Sequence, residues 1–110
     1  MSKAEYWQRG EVIDFVNETD EKIEANQIVV FGAHVGIAGT PIEVGETGSL
    51  HVFGVFEMPK AEGTEIAAGA AVYYDAAAEA ITTTAGDIEV GYATEAAVAA
   101  DTTVKVKILG

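Results

Sequence analysis

The sequence predicts an all-β domain, a small barrel or sandwich assembled from two related β units. Three observations carry that expectation. Short apolar runs recur at fairly regular spacing between twelve glycines spread along the chain, the pattern of short strands joined by turns. The alanine-rich stretch over residues 67–84, AAGAAVYYDAAAEAITTT, carries strand residues on both sides of a turn signal. A Val-Gly-x-Ala motif also occurs twice in matching surroundings, at residues 35–38 and 90–93.

The runs are residues 11–16, 27–31, 50–56, 72–74, 81–83, 88–92 and 103–109. The last is the clearest: Val104, Val106 and Ile108 alternate with Lys105 and Lys107, a strand with one wet face. In residues 50–56 both faces are apolar. Leu50, Val52 and Phe56 point one way; His51, Phe53 and Val55 point the other. A side chain of this size left in water forgoes roughly 1.5–3 kcal/mol of burial. The second face is therefore expected either to be covered within the chain or, the reading favoured in so short a chain, to pack on another subunit through His51, Phe53 and Val55.

Alanine is the best helix former, yet residues 67–84 show no apolar stripe at helical spacing. A hairpin uses every residue. Residues 72–74 run up, Asp75 opens a turn by bonding local backbone, residues 76–79 cross over, and residues 80–84 return. Gly86-Asp87 turns the chain again. The repeat places a strand before each Val-Gly-x-Ala, opened by the small turns Ala25-Asn26-Gln27 and Ala68-Gly69-Ala70, and a strand after each. The second copy carries the hairpin as an extra element. Residues 18–25 read as a helical turn with Thr19 as cap or, equally, as a solvated loop.

At 110 residues a single domain is expected, with residues 1–9 as a short flexible arm and residues 10–110 as the β domain. The chain lacks cysteine, which excludes disulfides and thiolate metal sites. MSKAEYWQRGE has no apolar signal region, and no run approaches a membrane span; no membrane partner is expected. The net charge of −12 with only six Lys and Arg argues against a nucleic-acid partner. Lys3, Arg9 and Glu5 give residues 1–10 a net +1, so the remainder carries −12 − 1 = −13.

No catalytic pattern emerges, and no enzyme activity, cofactor or metal is expected. Ser49 lies two residues from His51 without a nucleophile elbow around it. His34 and His51 lack the spacing of a zinc site. Lys60, in VFEMPKAEG, follows a strand as the modified lysine of a biotin or lipoate carrier does. Met-Pro-Lys-Ala is a poor match to that motif, and the simpler expectation is a strand ended by Pro59 with Lys60 in solvent.

Several blocks together resemble the capsid decoration (cement) proteins of tailed phages and prophages, a family once of unknown function and in places labelled recombinase-like. They are Tyr6-x-x-x-Gly10-Glu11-Val12-Ile13-Asp14, Gly54-Val55-Phe56-Glu57-Met58-Pro59-Lys60, Ala71-Val72-Tyr73-Tyr74-Asp75, Ile81-Thr82-Thr83-Thr84, Val90-Gly91-Tyr92-Ala93 and Val104-Lys105-Val106. The resemblance implies an all-β homotrimer, made in the host cytoplasm, that binds the major capsid protein on the outside of an icosahedral head. Tyr6, Trp7 and Arg9 are residue types that dominate binding hot spots, and the arm is the expected capsid contact; the alternative for Trp7 is that it plugs the bottom of its own barrel. The alternative is an adhesive or binding module of another phage structure, such as a head or tail fibre base.

Overall fold

The structure is a computed structural model that describes residues 2–6, 8–85 and 88–109. Among the described residues nine strands form two antiparallel sheets: β1 (Val12–Val16), β2 (Ile28–Phe31), β3 (His34–Ala38), β4 (Thr47–His51), β5 (Gly54–Pro59), β6 (Ala71–Asp75), β7 (Ala80–Thr82), β8 (Ile88–Ala93) and β9 (Thr103–Ile108). The first sheet runs β1-β4-β3-β2 and the second β5-β9-β8-β6-β7. The all-β expectation holds.

The two sheets are copies of one plan. β1, β4, β3 and β2 recur in the same order as β5, β9, β8 and β6, with β7 appended. Register repeats too. Val12 opposite His51 corresponds to Val55 opposite Lys107, and Ile28 opposite Ile37 to Ala71 opposite Tyr92. Isolated bridges tie Ile23 to Ile42 and Ile66 to Ala97. The small turns match as well: Asn26 N donates to Ala38 O at 2.8 Å and Gly69 N to Ala93 O at 2.7 Å. Both turn residues have positive φ, 67° and 80°, a conformation that asparagine and glycine tolerate.

Alanine does not make a helix between β6 and β7. Asp75 Oδ1 accepts the amides of Ala77 and Ala78 at 3.0 and 3.3 Å, and Glu79 closes the turn at φ 54°. Small side chains at 76–78 leave the turn exposed and unobstructed. The expected turn at Gly86-Asp87 lies outside the described residues. Residues 18–25 take the loop alternative.

The core has two parts. The larger lies on the second sheet, where Met58, Ile66, Val72, Ile81, Val106 and Ile108 are almost wholly enclosed, and Val35 and Ile37 of β3 enter it from the first sheet. β3 thus docks one unit on the other. The smaller core gathers Ile23, Val29, Ala38, Ile42, Leu50 and Val52, with Ile13, Phe15 and Phe31 partly buried at its margin. The second sheet curls until β7 meets the chain beyond β5, through a parallel bridge between Lys60 and Ile81.

Two expectations fail here. Residues 50–56 are not one strand. β4 ends at His51 and β5 begins at Gly54, whose φ of 136° suits glycine. The apolar run is the junction between the two units. Lys60 is not in solvent: it is 5% exposed, and its Nζ donates to the carbonyls of Ala61 (3.1 Å), Thr64 and Ala99 (3.5 Å). A lysine so enclosed does not stand at a hairpin tip as a carrier lysine must.

Candidate functional site

The first unit explains why a lysine is buried in the second. The counterpart of Lys60 is Asn17, wholly buried. Asn17 N donates to Glu46 O and Lys60 N to Thr102 O, both at 2.9 Å. Asn17 Nδ2 donates to Glu21 O and Ile42 O, each at 2.9 Å, and Thr19 Oγ1 closes on Asn17 Oδ1 at 2.6 Å. In both units a polar side chain just beyond the first strand ties down a loop that would otherwise bury unpaired carbonyls, at a cost of about 1–3 kcal/mol for each one left unmet. These residues hold the fold.

Among the described residues no catalytic grouping assembles around those that the sequence singled out. Ser49 and His51 lie on β4, and the His51 ring packs beside Phe56, centroids 6.2 Å apart. His34 opens β3 and lies near Phe31, centroids 6.0 Å apart. Among the described residues no group of three or more His, Asp or Glu is placed to hold a metal. The Tyr74 phenol is pushed up from its ordinary pKa by burial, and further by Glu79 and Asp75. The grooves are open ones; that beside β9 is lined by Glu57, Glu95, Asp101 and Lys105.

The surface does carry an unusual patch where the two units join. Because the chain turns at the junction, Phe53 and Val55 point outward, 48% and 55% exposed. Lys107 stands over the Phe53 ring with Nζ 5.2 Å from its centroid, and Val55 lies opposite Lys107 across the strands. Arg9, at the base of the arm, lines a shallow pocket with Phe53 and Leu109. Thus Arg9, Phe53, Val55, Lys107 and Leu109 gather two cations and three apolar side chains, with Glu11 lining the same pocket, on a molecule of net charge −12.

Of the residues expected at an oligomer contact, Phe53 and Val55 share this patch. His51 does not lie on the same strand face with them: it ends β4, is half-buried, and touches Phe56, which the single-strand reading had aimed the opposite way. Of the expected capsid-contact residues, Arg9 borders the patch and Tyr6 is 83% exposed; Trp7 lies outside the described residues. The arm touches the body where Gln8 Nε2 donates to Val12 O at 3.3 Å. Lys107 and Leu109 were missed. The signal lay in the β9 alternation: Lys105, Lys107 and Leu109 share its wet face, and a leucine at a solvated position marks an apolar exposure.

No curated protein and no solved structure matches the chain. The model of one protein family does match, over residues 7–108, so that the match takes in both units, the junction between them and nearly the whole patch. With the all-β fold that the resemblance implied now seen, the chain belongs to the phage cement protein family.

Proposed function

We propose that this protein decorates the outer surface of an icosahedral phage head as a homotrimer at local threefold positions, binding the major capsid protein and stabilising the expanded shell without catalysis. Membership of the cement family supports association with a phage capsid. The observation that carries the finer reading is the patch of Arg9, Phe53, Val55, Lys107 and Leu109. It is the kind of apolar surface with an arginine that a binding face needs, set on an acidic body that repels non-specific partners. In this reading Phe53 and Val55 meet a neighbouring copy, with His51 behind them. Residues 1–9 form an arm whose Tyr6, Trp7 and Arg9 engage the shell. A protein that binds the expanded shell and not its precursor stabilises the expanded state by mass action. The protein is made in the host cytoplasm and assembles onto the virion from outside.

The test mixes purified protein with undecorated expanded heads and measures co-sedimentation. Saturable binding at a fixed ratio to capsid protein is expected, with heads that resist heat better once decorated. Absence of binding, or electron microscopy that finds the protein on a tail or head fibre base, overturns the proposal in favour of an adhesive module.

A further inference from the structure

The two units differ in one place that the duplication exposes. In the second unit β7 fills the gap between β6 and the chain after β5. It pairs antiparallel with β6, Tyr73 opposite Thr82 and Tyr74 opposite Ile81. On its other side it bridges Lys60, and Ala61 N donates to Ile81 O at 2.9 Å. Ile81 is completely buried. In the first unit the same slot lies between β2 and the chain after β1. The counterparts of Tyr73 and Tyr74 are Val30 and Phe31; those of Lys60 and Ala61 are Asn17 and Glu18. The chain makes no excursion there, because Gly32-Ala33 turns β2 directly into β3.

The slot is therefore a strand short. β1 and β2 are the two ends of the first sheet. Among the described residues, no backbone group of another segment bonds the outer edge of either strand. Phe15 and Phe31 reach toward each other across the gap, with ring centroids 6.2 Å apart, and both remain partly exposed together with Ile13. On the β1 edge the Val12 carbonyl is met by the Gln8 side chain at 3.3 Å; edges otherwise without backbone partners, above an apolar floor, are what strand addition uses. The sister unit shows the occupant that fits: a short extended segment, small-branched-small in pattern, as Ala80-Ile81-Thr82 is. The loop beside the slot carries exposed Glu18, Asp20 and Glu21, and its Lys22 is drawn to Glu43 at 3.4 Å. The incoming segment should then carry a basic residue at one end. The body of a second copy, at −13 over residues 11–110, is the wrong partner by charge.

We propose that the open seam between β1 and β2 is a strand acceptor that takes an extended, basic-flanked segment of the capsid shell protein, running antiparallel to β2. The identity of the shell as partner rests on the cement reading above.

The test replaces Gly32-Ala33 with residues 75–87 of this chain, so that the first unit acquires its own copy of β7. With the seam filled, binding to expanded heads should weaken at least tenfold while the far-ultraviolet spectrum stays that of a β protein. A folded graft that binds heads as well as the unaltered chain overturns the seam. A graft that loses self-association and still binds heads assigns the seam to a second copy, which also overturns the proposal. Because the graft can fail to fold, a second measurement uses the unaltered protein and a synthetic peptide copying residues 79–84 with a lysine added. Amide shifts confined to Glu18 and residues 30–32, with release of bound heads, support the acceptor; shifts elsewhere or none overturn it. If the unaltered protein binds no heads, the cement reading falls and the shell falls as occupant, while the peptide still decides whether the groove exists.

Discussion

At the scale of single residues, the fold rests on polar groups that composition alone would send to the surface. Lys60 has three ammonium hydrogens and three carbonyls to receive them, which is why burial is tolerable. Lys60→Met keeps much of the volume and abandons the carbonyls. It should destabilise by about 1–3 kcal/mol, read as a lower urea midpoint, and Asn17→Ala should do the same in the other unit. Glycines at the equivalent positions Gly36 and Gly91 differ in severity. A Cβ on Gly91 would sit 1.9 Å from the Lys107 carbonyl oxygen, whereas one on Gly36 would meet the Leu50 side chain at 3.1 Å. Gly91→Ala should therefore cost roughly 1–3 kcal/mol, and Gly36→Ala clearly less, in the same urea titration. Tyr74 gives a pH signature. Its folded pKa is raised, by burial first and by Glu79 and Asp75 after, so the folded state holds its proton more tightly than the unfolded chain. The associated stability is complete below the ordinary tyrosine pKa of about 10 and is lost as pH rises above it toward the folded pKa. Thermal melting of the wild type should fall more steeply above pH 10 than that of Tyr74→Phe, and the two should converge near neutrality.

At the scale of elements, legibility followed the contrast between the two faces of each strand. β9 was plain because lysines alternate with buried Val104, Val106 and Ile108. β3 does not read as a strand from its sequence: Gly36 sits at its centre, and glycine has little strand preference. Only the likeness to residues 90–93 betrayed it. The junction was misread because His51, Val52, Phe53, Val55 and Phe56 are all strand residues, and the break among them depends on Gly54 alone. The hairpin was legible because Asp75 names the turn. That turn also carries the only strand the first unit lacks. Asp75→Ala removes the acceptor of two amides and should cost about 1 kcal/mol. The loss should appear locally, as faster hydrogen exchange in β7 and at Ala61, with β1–β4 unaffected. Equal acceleration in both sheets would mean that the hairpin is not an independent element.

At the scale of the molecule, the proposed function gives charge and the arm separate roles. A body of −13 repels its own copies, while in the proposed trimer Phe53, Val55 and Leu109 would draw them together over a short range. Screening weakens the first term and leaves the second, so raising salt from about 0.02 to 0.3 M should strengthen self-association, measured by light scattering at micromolar concentration. A mass of one chain at every salt concentration would remove Phe53 and Val55 from any interface between copies. The arm obeys the opposite logic. It carries a net +1 where the rest of the chain carries −13; Tyr6 is almost bare, and the hydrogen bond from Gln8 is a slender attachment. Deleting residues 1–9 removes none of the described residues of either core, so the variant should keep its β spectrum and its melting temperature within a few degrees. It should keep its oligomer mass as well, yet fail to sediment with expanded heads. Unfolding would instead make Trp7 a core residue. Undiminished decoration would move the shell contact off the arm and onto the body, leaving the junction patch and the seam between β1 and β2 as the surfaces to dissect.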